Sequence, residues 1–275
     1  GMRRRTLHVV GLDQTDLDIT DPSSIQDAFA KHTPDVVVNA AAYTAVDLAE
    51  REPERAFDIN CQGVKHLAEA CTQNGVDLIH VSTDYVFGKV DRVPLGPSEP
   101  NGPLGVYGAS KACGEEAVEE LLVGNNQGVV LRTSWVMGPV GKNFALTMLR
   151  LHRDKKELGV VADQVGCPTS TLTLAKACWR AIGIDADPDG PRVLHWSDAG
   201  AASWYDFAVA IGELAQARGL LQQAASVEPI TTADYPTPAT RPSYSLLDCT
   251  ATRQALGLPA LHWRAALAEV LARAQ

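Results

Sequence analysis

The sequence has no long apolar run. No stretch reaches the roughly 18 consecutive apolar residues of a membrane helix, so no membrane contact is expected. It also lacks a basic footprint. Its net charge is −9, and no basic run exceeds Arg3-Arg4-Arg5, which excludes nucleic acid as an expected partner. No signal-peptide pattern opens the chain, and Gly1 ahead of Met2 reads as a tag remnant. Repeats and low-complexity tracts are absent. Cysteine is present but unorganised: Cys61, Cys71, Cys113, Cys167, Cys178 and Cys249 form no Cys-x-x-Cys pair, and most lie in apolar segments. They are expected to be reduced core residues of a cytoplasmic protein, with neither a zinc site nor a disulfide framework. What remains is an ordinary globular composition, 45% hydrophobic and 21% charged over 275 residues. That length allows one large domain or two unequal lobes.

The most informative stretch runs from Asp77 to Lys111. Leu78 to Val81 read as a buried strand, ending in the polar cluster Ser82-Thr83-Asp84-Tyr85. After a polar loop, Tyr107-Gly-Ala-Ser-Lys111 opens a helix. Residues four apart on a helix share a face, so Tyr107 and Lys111 project together. If that helix packs on the sheet, the shared face looks at the strand end bearing Thr83, where open α/β sheets place their ligands. A phenol near pKa 10 is a poor acid-base catalyst at neutral pH, and a neighbouring ammonium lowers that pKa. A hydroxyl beside the pair can hold a carbonyl oxygen. The trio suits proton donation to a ketone while a cofactor supplies hydride. Tyr-x-x-x-Lys alone is also compatible with a solvated helix start.

The rest of the first half alternates strand and helix. Thr6 to Leu12 reads as a strand followed by Asp13. A helix capped by Asp21 or Ser23 is expected over Pro22 to His32. Asp35-Val-Val-Val-Asn39 is apolar without alternation, the mark of a strand buried on both faces of a parallel sheet. The three alanines after it allow either close approach of a flat ligand or tight helix packing. A helix follows from about Pro53 to Gln73, and Gly128 to Trp135 forms another buried strand with a polar, aromatic end. This alternation predicts a Rossmann-like, doubly wound parallel sheet. Residues 1–138 are expected to form the dinucleotide-binding domain, and 139–275 mainly a smaller substrate-binding lobe with segments interleaved.

In that second half, helices are expected over Lys142 to Leu151, from Ser170 to about Ile182, over Trp204 to Arg218 and over Trp263 to Arg273. Strands are expected at Leu158 to Val161 and Val193 to Trp196, and Asp163 to Ser170 is expected to form a loop. Asp185 to Asp189 reads as an exposed turn. Trp135, Asn143, Phe144, Trp204, Tyr235 and Arg241 are candidates to line a cleft. Arg241, set among prolines, suits either a phosphate clamp or a stabilising surface charge.

Taken together, these motifs resemble the dTDP-4-dehydrorhamnose reductases of the extended short-chain dehydrogenase/reductase superfamily. The resemblance rests on Asp16-Leu-Asp-Ile-Thr-Asp-Pro22, Asn39-Ala-Ala-Ala-Tyr-Thr-Ala-Val-Asp47, Val81-Ser-Thr-Asp-Tyr-Val-Phe87 and Val106-Tyr-Gly-Ala-Ser-Lys111. Further along it includes Leu131-Arg-Thr-Ser-Trp135, Lys142-Asn-Phe144, Asp163 to Thr169, Ser203 to Phe207 and Arg241 to Ser245. It implies reduction of the 4-keto group of dTDP-4-dehydrorhamnose by NADPH or NADH, giving dTDP-L-rhamnose. By the same resemblance Tyr107 is the proton donor. Lys111 lowers its pKa and holds the nicotinamide ribose, and Thr83 polarises the carbonyl. Asp84, Trp135, Asn143, Trp204 and Arg241 are implied to contact the dTDP-sugar. Ala42, Tyr43, Thr44 and Val81 are implied to line the cofactor, with Asp13, Asp18 and Ile19 toward its adenosine end. Some relatives bind Mg2+ at a dimer contact. A homodimer is therefore conceivable here, but no residue of this chain is assigned to a metal.

One part of the family pattern is missing. Members open with a strand and a Gly-x-x-Gly-x-x-Gly turn leading into a first helix, where backbone amides meet the pyrophosphate. Here the opening strand already carries Asp13, an acidic residue that normally follows those glycines by about 20 positions. Roughly 25 residues of the pattern are absent, by that spacing. A misassigned start, an omitted piece, or a natural loss of dinucleotide binding would each produce this. In the last case Thr6 to Leu12 could slide into the vacant central place, and the chain would be a non-catalytic binding or regulatory protein on the same fold.

Overall fold

The structure is a computed structural model that describes residues 8–88, 94–122, 127–182 and 192–274. The turn expected at Asp185 to Asp189 lies outside these residues.

Helix α1, Pro22–His32, is capped by the Asp21 carboxylate on the Ser23 amide and carries proline in its first turn. It buries Ile25 and Phe29 and leads to strand β1, Val36–Asn39. Two short helices follow, α2 at Val46–Ala49 and α3 at Pro53–Phe57. A π-helical turn at Asp58–Gln62 joins α3 to α4, Gly63–Asn74. The helical run expected from Pro53 to Gln73 is therefore present but bulged. Gly75 ends it with a left-handed φ of 66°, a conformation that costs glycine nothing. Strand β2, Asp77–Thr83, runs into a 3₁₀ turn at Asp84–Val86. Helix α5 spans Val106–Leu122 and strand β3 Gly128–Thr133.

The second half holds β4 at Val136–Met137, α6 at Phe144–Asp154 and β5 at Glu157–Val161. It continues with β6 at Val165–Gly166, β7 at Thr169–Ser170, α7 at Thr171–Ala181 and β8 at Arg192–Trp196. The last elements are β9 at Ala202–Ser203, α8 at Trp204–Ala217, β10 at Ser226–Ile230, α9 at Thr250–Leu256 and α10 at Trp263–Arg273.

The main sheet has the order β1-β2-β3-β8, all parallel. Parallel strands buried on both faces need helices above and below. On one side Ile25, Phe29, Val64, Leu67 and Leu122 pack against Leu78 and Val130. On the other, Leu174, Ala177 and Leu256 pack against Ile79 and Leu131. A separate core in the second half gathers Met137, Met148, Phe207, Ile211, Trp263 and Leu267. Around it sit three two-stranded pairings, β5 with β10, β4 with β7, and β6 with β9.

Three expectations are corrected. Residues 8–12 of the expected first strand form no strand, and Val9, Val10 and Leu12 are exposed. An apolar, β-branched run becomes a strand only beside a neighbour that offers backbone groups. Nor does this segment slide into the sheet: among the described residues β1 pairs with β2 alone. Val38 of β1 accordingly stands 40% exposed. Second, Cys61 and Cys113 form a disulfide, whereas Cys71, Cys167, Cys178 and Cys249 are free and buried, as expected of all six. The bond ties the π-helical turn to α5, a proximity that sequence spacing does not encode. Third, the expected loop from Asp163 to Ser170 contains β6 and β7, each pairing with another short strand.

Candidate active site

β2 and α5 bring the expected trio together. Thr83 ends β2, 6% exposed, and Tyr107 lies in the first turn of α5. The Thr83 hydroxyl donates to Asp84 Oδ1 at 3.1 Å and lies near enough to the Tyr107 phenol to favour its ionised form. Tyr85 packs its ring edge against Tyr107, with centroids 5.6 Å apart. Lys111, one turn along α5, is buried. Its Nζ donates to the Val81 carbonyl at 2.8 Å and lies 3.2 Å from His80 Nε2.

The electrostatics differ from the expectation in one respect. The Tyr107 phenol is not lowered by Lys111. Burial pushes it up to about 12, with the Thr83 hydrogen bond working the other way. Lys111 is itself pushed down to about 8 by burial, against a weaker upward pull from Glu115. Asp84 is buried with Oδ2 unpartnered, and burial raises it to about 7. Tyr107 is thus a protonated phenol at neutral pH.

Close backbone packing sets this cluster. Gly102, Gly105 and Gly108 recur at three-residue spacing just ahead of and inside α5. The spacing matches a nucleotide-binding turn, but among the described residues no strand leads into it, and the helix end is occupied. Glu50 Oε1 accepts the Val106 amide at 2.8 Å. A Cβ at Gly108 would collide with the Tyr85 carbonyl, so glycine here lets α5 approach the end of β2. Sequence reasoning missed Glu50, and it missed Asn60. Asn60 Oδ1 accepts from the Tyr43 amide at 2.8 Å, and its Nδ2 donates to the Tyr43 carbonyl and to Ser110 Oγ, each at 3.0 Å. The π-helical turn aims Asn60 inward, and such turns recur at functional sites. A fully polar side chain in an otherwise apolar helix face was its only signal.

Beyond β1, Ala40 and Ala41 are exposed, Ala42 is half-buried and Thr44 exposed. Tyr43 is buried, and its hydroxyl donates to Glu52 Oε2 at 2.9 Å. Toward the expected adenosine end, Asp13 and Asp18 each accept from a threonine two residues on. Both carboxylates are thereby lowered. Ile19 is buried against Gly63. Among the described residues no glycine turn links a strand to a helix near these groups, and none is assigned to a pyrophosphate.

The second half supplies an aromatic wall. Trp135 and Trp204 stack at 3.5 Å with planes 6° apart, and Phe144 lies 4.7 Å from Trp204. Trp135 has a left-handed φ of 46°, a strained state for a bulky residue and one that clusters at ligand sites. Gly166 gives its indole room, and Trp204 Nε1 donates to Gln164. Asn143 is committed elsewhere: it caps α6 through the Leu146 amide and donates to the Gly138 carbonyl. Arg241 forms a two-pronged pair with Asp47, at 3.0 and 2.8 Å. It ties the 237–241 loop to α2, so a phosphate would have to compete with that carboxylate. Tyr235 is 60% exposed. Among the described residues no three His, Cys, Asp or Glu side chains gather to hold a metal ion, and no helix is long and apolar enough to cross a membrane.

Comparison with known proteins completes this picture. The family described as the RmlD substrate binding domain matches residues 2–275. A dTDP-4-dehydrorhamnose reductase of Aggregatibacter actinomycetemcomitans is 41% identical over 269 residues, covering 97% of this chain and 90% of that protein. The crystal structure of a Clostridium acetobutylicum dTDP-4-dehydrorhamnose reductase superposes with a TM-score of 0.87 at 36% identity, over 98% of this chain and 91% of that one. The Bacillus anthracis enzyme, solved in complex with NADP, superposes with a TM-score of 0.85 at 34% identity, over 95% and 88%.

Proposed function

The chain belongs to the dTDP-4-dehydrorhamnose reductase family, and from that premise we propose that it reduces the 4-keto group of dTDP-4-dehydro-6-deoxy-L-mannose with NAD(P)H to give dTDP-L-rhamnose. The observation that carries the reading is the grouping of Thr83, Tyr107 and Lys111 at the end of β2. A bound nicotinamide supplies hydride to the sugar C4. Thr83 Oγ turns from Asp84 to the substrate carbonyl and holds it beside the phenol. Tyr107 then gives its proton to the developing alkoxide. The phenol's high pKa keeps that proton in place until negative charge appears on the substrate oxygen. Lys111, as an ammonium, steadies the phenolate left behind and reaches the nicotinamide ribose. Ala42, Tyr43, Thr44 and Val81 line that half of the cofactor, and Asp13, Asp18 and Ile19 lie toward its adenosine. Trp135, supported by Trp204, forms a flat wall for the deoxysugar. Asp84 and Arg241 are the remaining polar contacts, Arg241 toward the diphosphate.

A second reading, a non-catalytic binding protein on the same fold, draws on the absence of a pyrophosphate cradle among the described residues. Calorimetric titration of the chain with NADPH and NADH, followed by turnover of the 4-keto sugar nucleotide, separates the two. Under the reductase reading, Tyr107→Phe folds as the native chain does and loses about 10²- to 10⁴-fold in kcat, the usual worth of a positioned proton donor. Unchanged turnover in that variant would remove Tyr107 from its role. A folded native chain that binds neither nucleotide would favour the second reading.

A further inference from the structure

Helix α5 carries Tyr107 and Lys111, and its first turn is capped from far away. The first amides of a helix have no partner inside it, and a serine, threonine, aspartate or asparagine just ahead normally accepts from one of them. Ahead of Val106 stand Leu104 and Gly105, whose side chains hold no oxygen. The acceptor comes instead from 56 residues earlier: Glu50, the residue that follows α2, takes the Val106 amide on Oε1 at 2.8 Å. A Cβ at Gly105 would stand 2.6 Å from that oxygen, so glycine is what admits the carboxylate. The carboxylate also meets the positive end of the helix dipole, which strengthens the contact.

Glu50 is itself anchored. Asp47 of α2 takes both prongs of Arg241, and Tyr43, just ahead of α2, is held at its amide and its carbonyl by Asn60. The residue after Val106 is Tyr107. Glu50, Tyr85, Tyr107 and Gly108 share the lining of a void of about 10 Å3, room for one water. The start of α5 is therefore packed with little slack. None of the steps assigned to Thr83, Tyr107 and Lys111 uses Glu50. They do require the phenol within hydrogen-bond reach of the substrate oxygen. A misplacement of about 1 Å costs on the order of 10²-fold in rate.

We propose that Glu50 is a positioning residue for the reduction: by holding the Val106 amide from α2, it sets the first turn of α5 and with it the place of the Tyr107 phenol beside Thr83. Glu50 touches no reacting atom. What it supplies is an acceptor oxygen at a fixed point, so a glutamine, which has the same reach, serves in its place and an alanine does not. The same contact ties the start of α5 to the segment expected to line the cofactor, residues 42–44, and through Asp47 to Arg241. The catalytic consequence rests on the reductase reading, whereas the placement of α5 does not.

Three variants of the whole chain test it. Glu50→Gln keeps the acceptor, Glu50→Ala removes it, and Gly105→Ala leaves Glu50 in place but pushes its carboxylate off the amide. Gly105 has no left-handed φ, and the atom displaced is the end of a flexible side chain, so this last variant folds even if Glu50→Ala does not. The first readout is NMR without substrate: hydrogen exchange of the Val106 amide and the NOE between the Tyr107 ring and Thr83. Glu50→Gln should keep both. In Glu50→Ala and Gly105→Ala the amide should exchange about tenfold faster, the worth of a lost cap, and the NOE should weaken. The second readout is steady-state kinetics with NADPH and the 4-keto sugar nucleotide. In the same two variants kcat should fall about 10- to 100-fold with KM held within about threefold, and Glu50→Gln should keep kcat. A cap that only stabilises would lower the melting temperature and leave kcat alone, and that result overturns the proposal. So does a Glu50→Gln as slow as Glu50→Ala, or an NOE unchanged in both disrupting variants. A native chain without turnover whose NMR contrasts appear as expected upholds the placement and fails the reductase reading alone.

Discussion

Lys111 and Arg132 are both buried cations, and the fold treats them oppositely. Arg132 reaches Glu115 through Nε and Nη2, Asn101 Oδ1 at 2.8 Å and the Pro97 carbonyl at 3.3 Å, with its guanidinium 4.9 Å from the Phe87 ring. Lys111 has a carbonyl and an imidazole, and among the described residues no carboxylate forms a salt bridge with it. Burying a charge is costly unless it is paired and hydrogen-bonded. The Arg132 cluster meets that requirement with four residues from three segments, and so fixes α5 against β3 and the 97–101 loop. The Lys111 site leaves the requirement unmet. A group whose proton affinity has been displaced in this way is suited to chemistry rather than to holding the fold.

Substitution separates the two kinds of burial most sharply. Arg132→Met leaves Glu115 buried without its partner and is expected to lose about 3–5 kcal/mol of stability. Lys111→Met relieves a desolvated charge and leaves only the His80 and Val81 groups short of a partner. Its expected change is within about 1 kcal/mol, since the two effects oppose each other. Denaturant midpoints of both variants at neutral pH measure the contrast. Equal losses would erase the distinction.

Asp84 extends the comparison to an anion. Its folded pKa is raised from 3.8 to about 7. The folded state therefore binds more protons than the unfolded state between those values, and stability drains away as pH rises through that window. Asp84→Asn removes this loss. Its advantage over the native chain should be small at pH 4 and grow to about 4 kcal/mol by pH 8, taking a little over three pKa units at about 1.4 kcal/mol each. Melting both chains at pH 5 and pH 8 tests the sign. An advantage that does not grow with pH would mean that Asp84 is paired in solution.

The same contrast explains what sequence could reveal. Tyr107 and Lys111 were legible because helical spacing alone puts them on one face, and the runs at 35–39, 78–81 and 128–135 announced buried parallel strands. Caps such as Asp21 and the Ser203–Asp206 box are local, and α1 and α8 begin where such residues stand. Partners that depend on distant segments were not legible. His80 looks like one more residue of an apolar strand, and only the register of β1 on β2, which sets Asn39 opposite it, places it between Asn39 and Lys111. Asn60 is turned inward by a π-helical turn that periodicity does not register. Cys61 and Cys113 meet across 52 residues. The strand expectation failed over residues 8–12 for the same reason, since strand propensity carries no information about whether a neighbouring strand is there to pair.

The smallest effect separates the two readings of Arg241. Its pair with Asp47 has side chains 20% and 41% exposed, so solvent screening limits its worth to at most about 1 kcal/mol. Asp47→Asn should therefore barely lower the melting temperature. It also frees the guanidinium, which in the native chain is shared among Asp47, Thr237 and the Ala239 carbonyl. If Arg241 clamps the substrate diphosphate, releasing it from a competing carboxylate lowers KM for the sugar nucleotide while kcat holds, and Arg241→Lys raises KM because the two-pronged geometry is lost. If Arg241 is only a strap between the 237–241 loop and α2, neither variant shifts KM in that pattern and the change is confined to stability. Steady-state kinetics of the two variants at low and high salt distinguish these outcomes, because added salt weakens the strap and the phosphate contact alike but only the contact appears in KM.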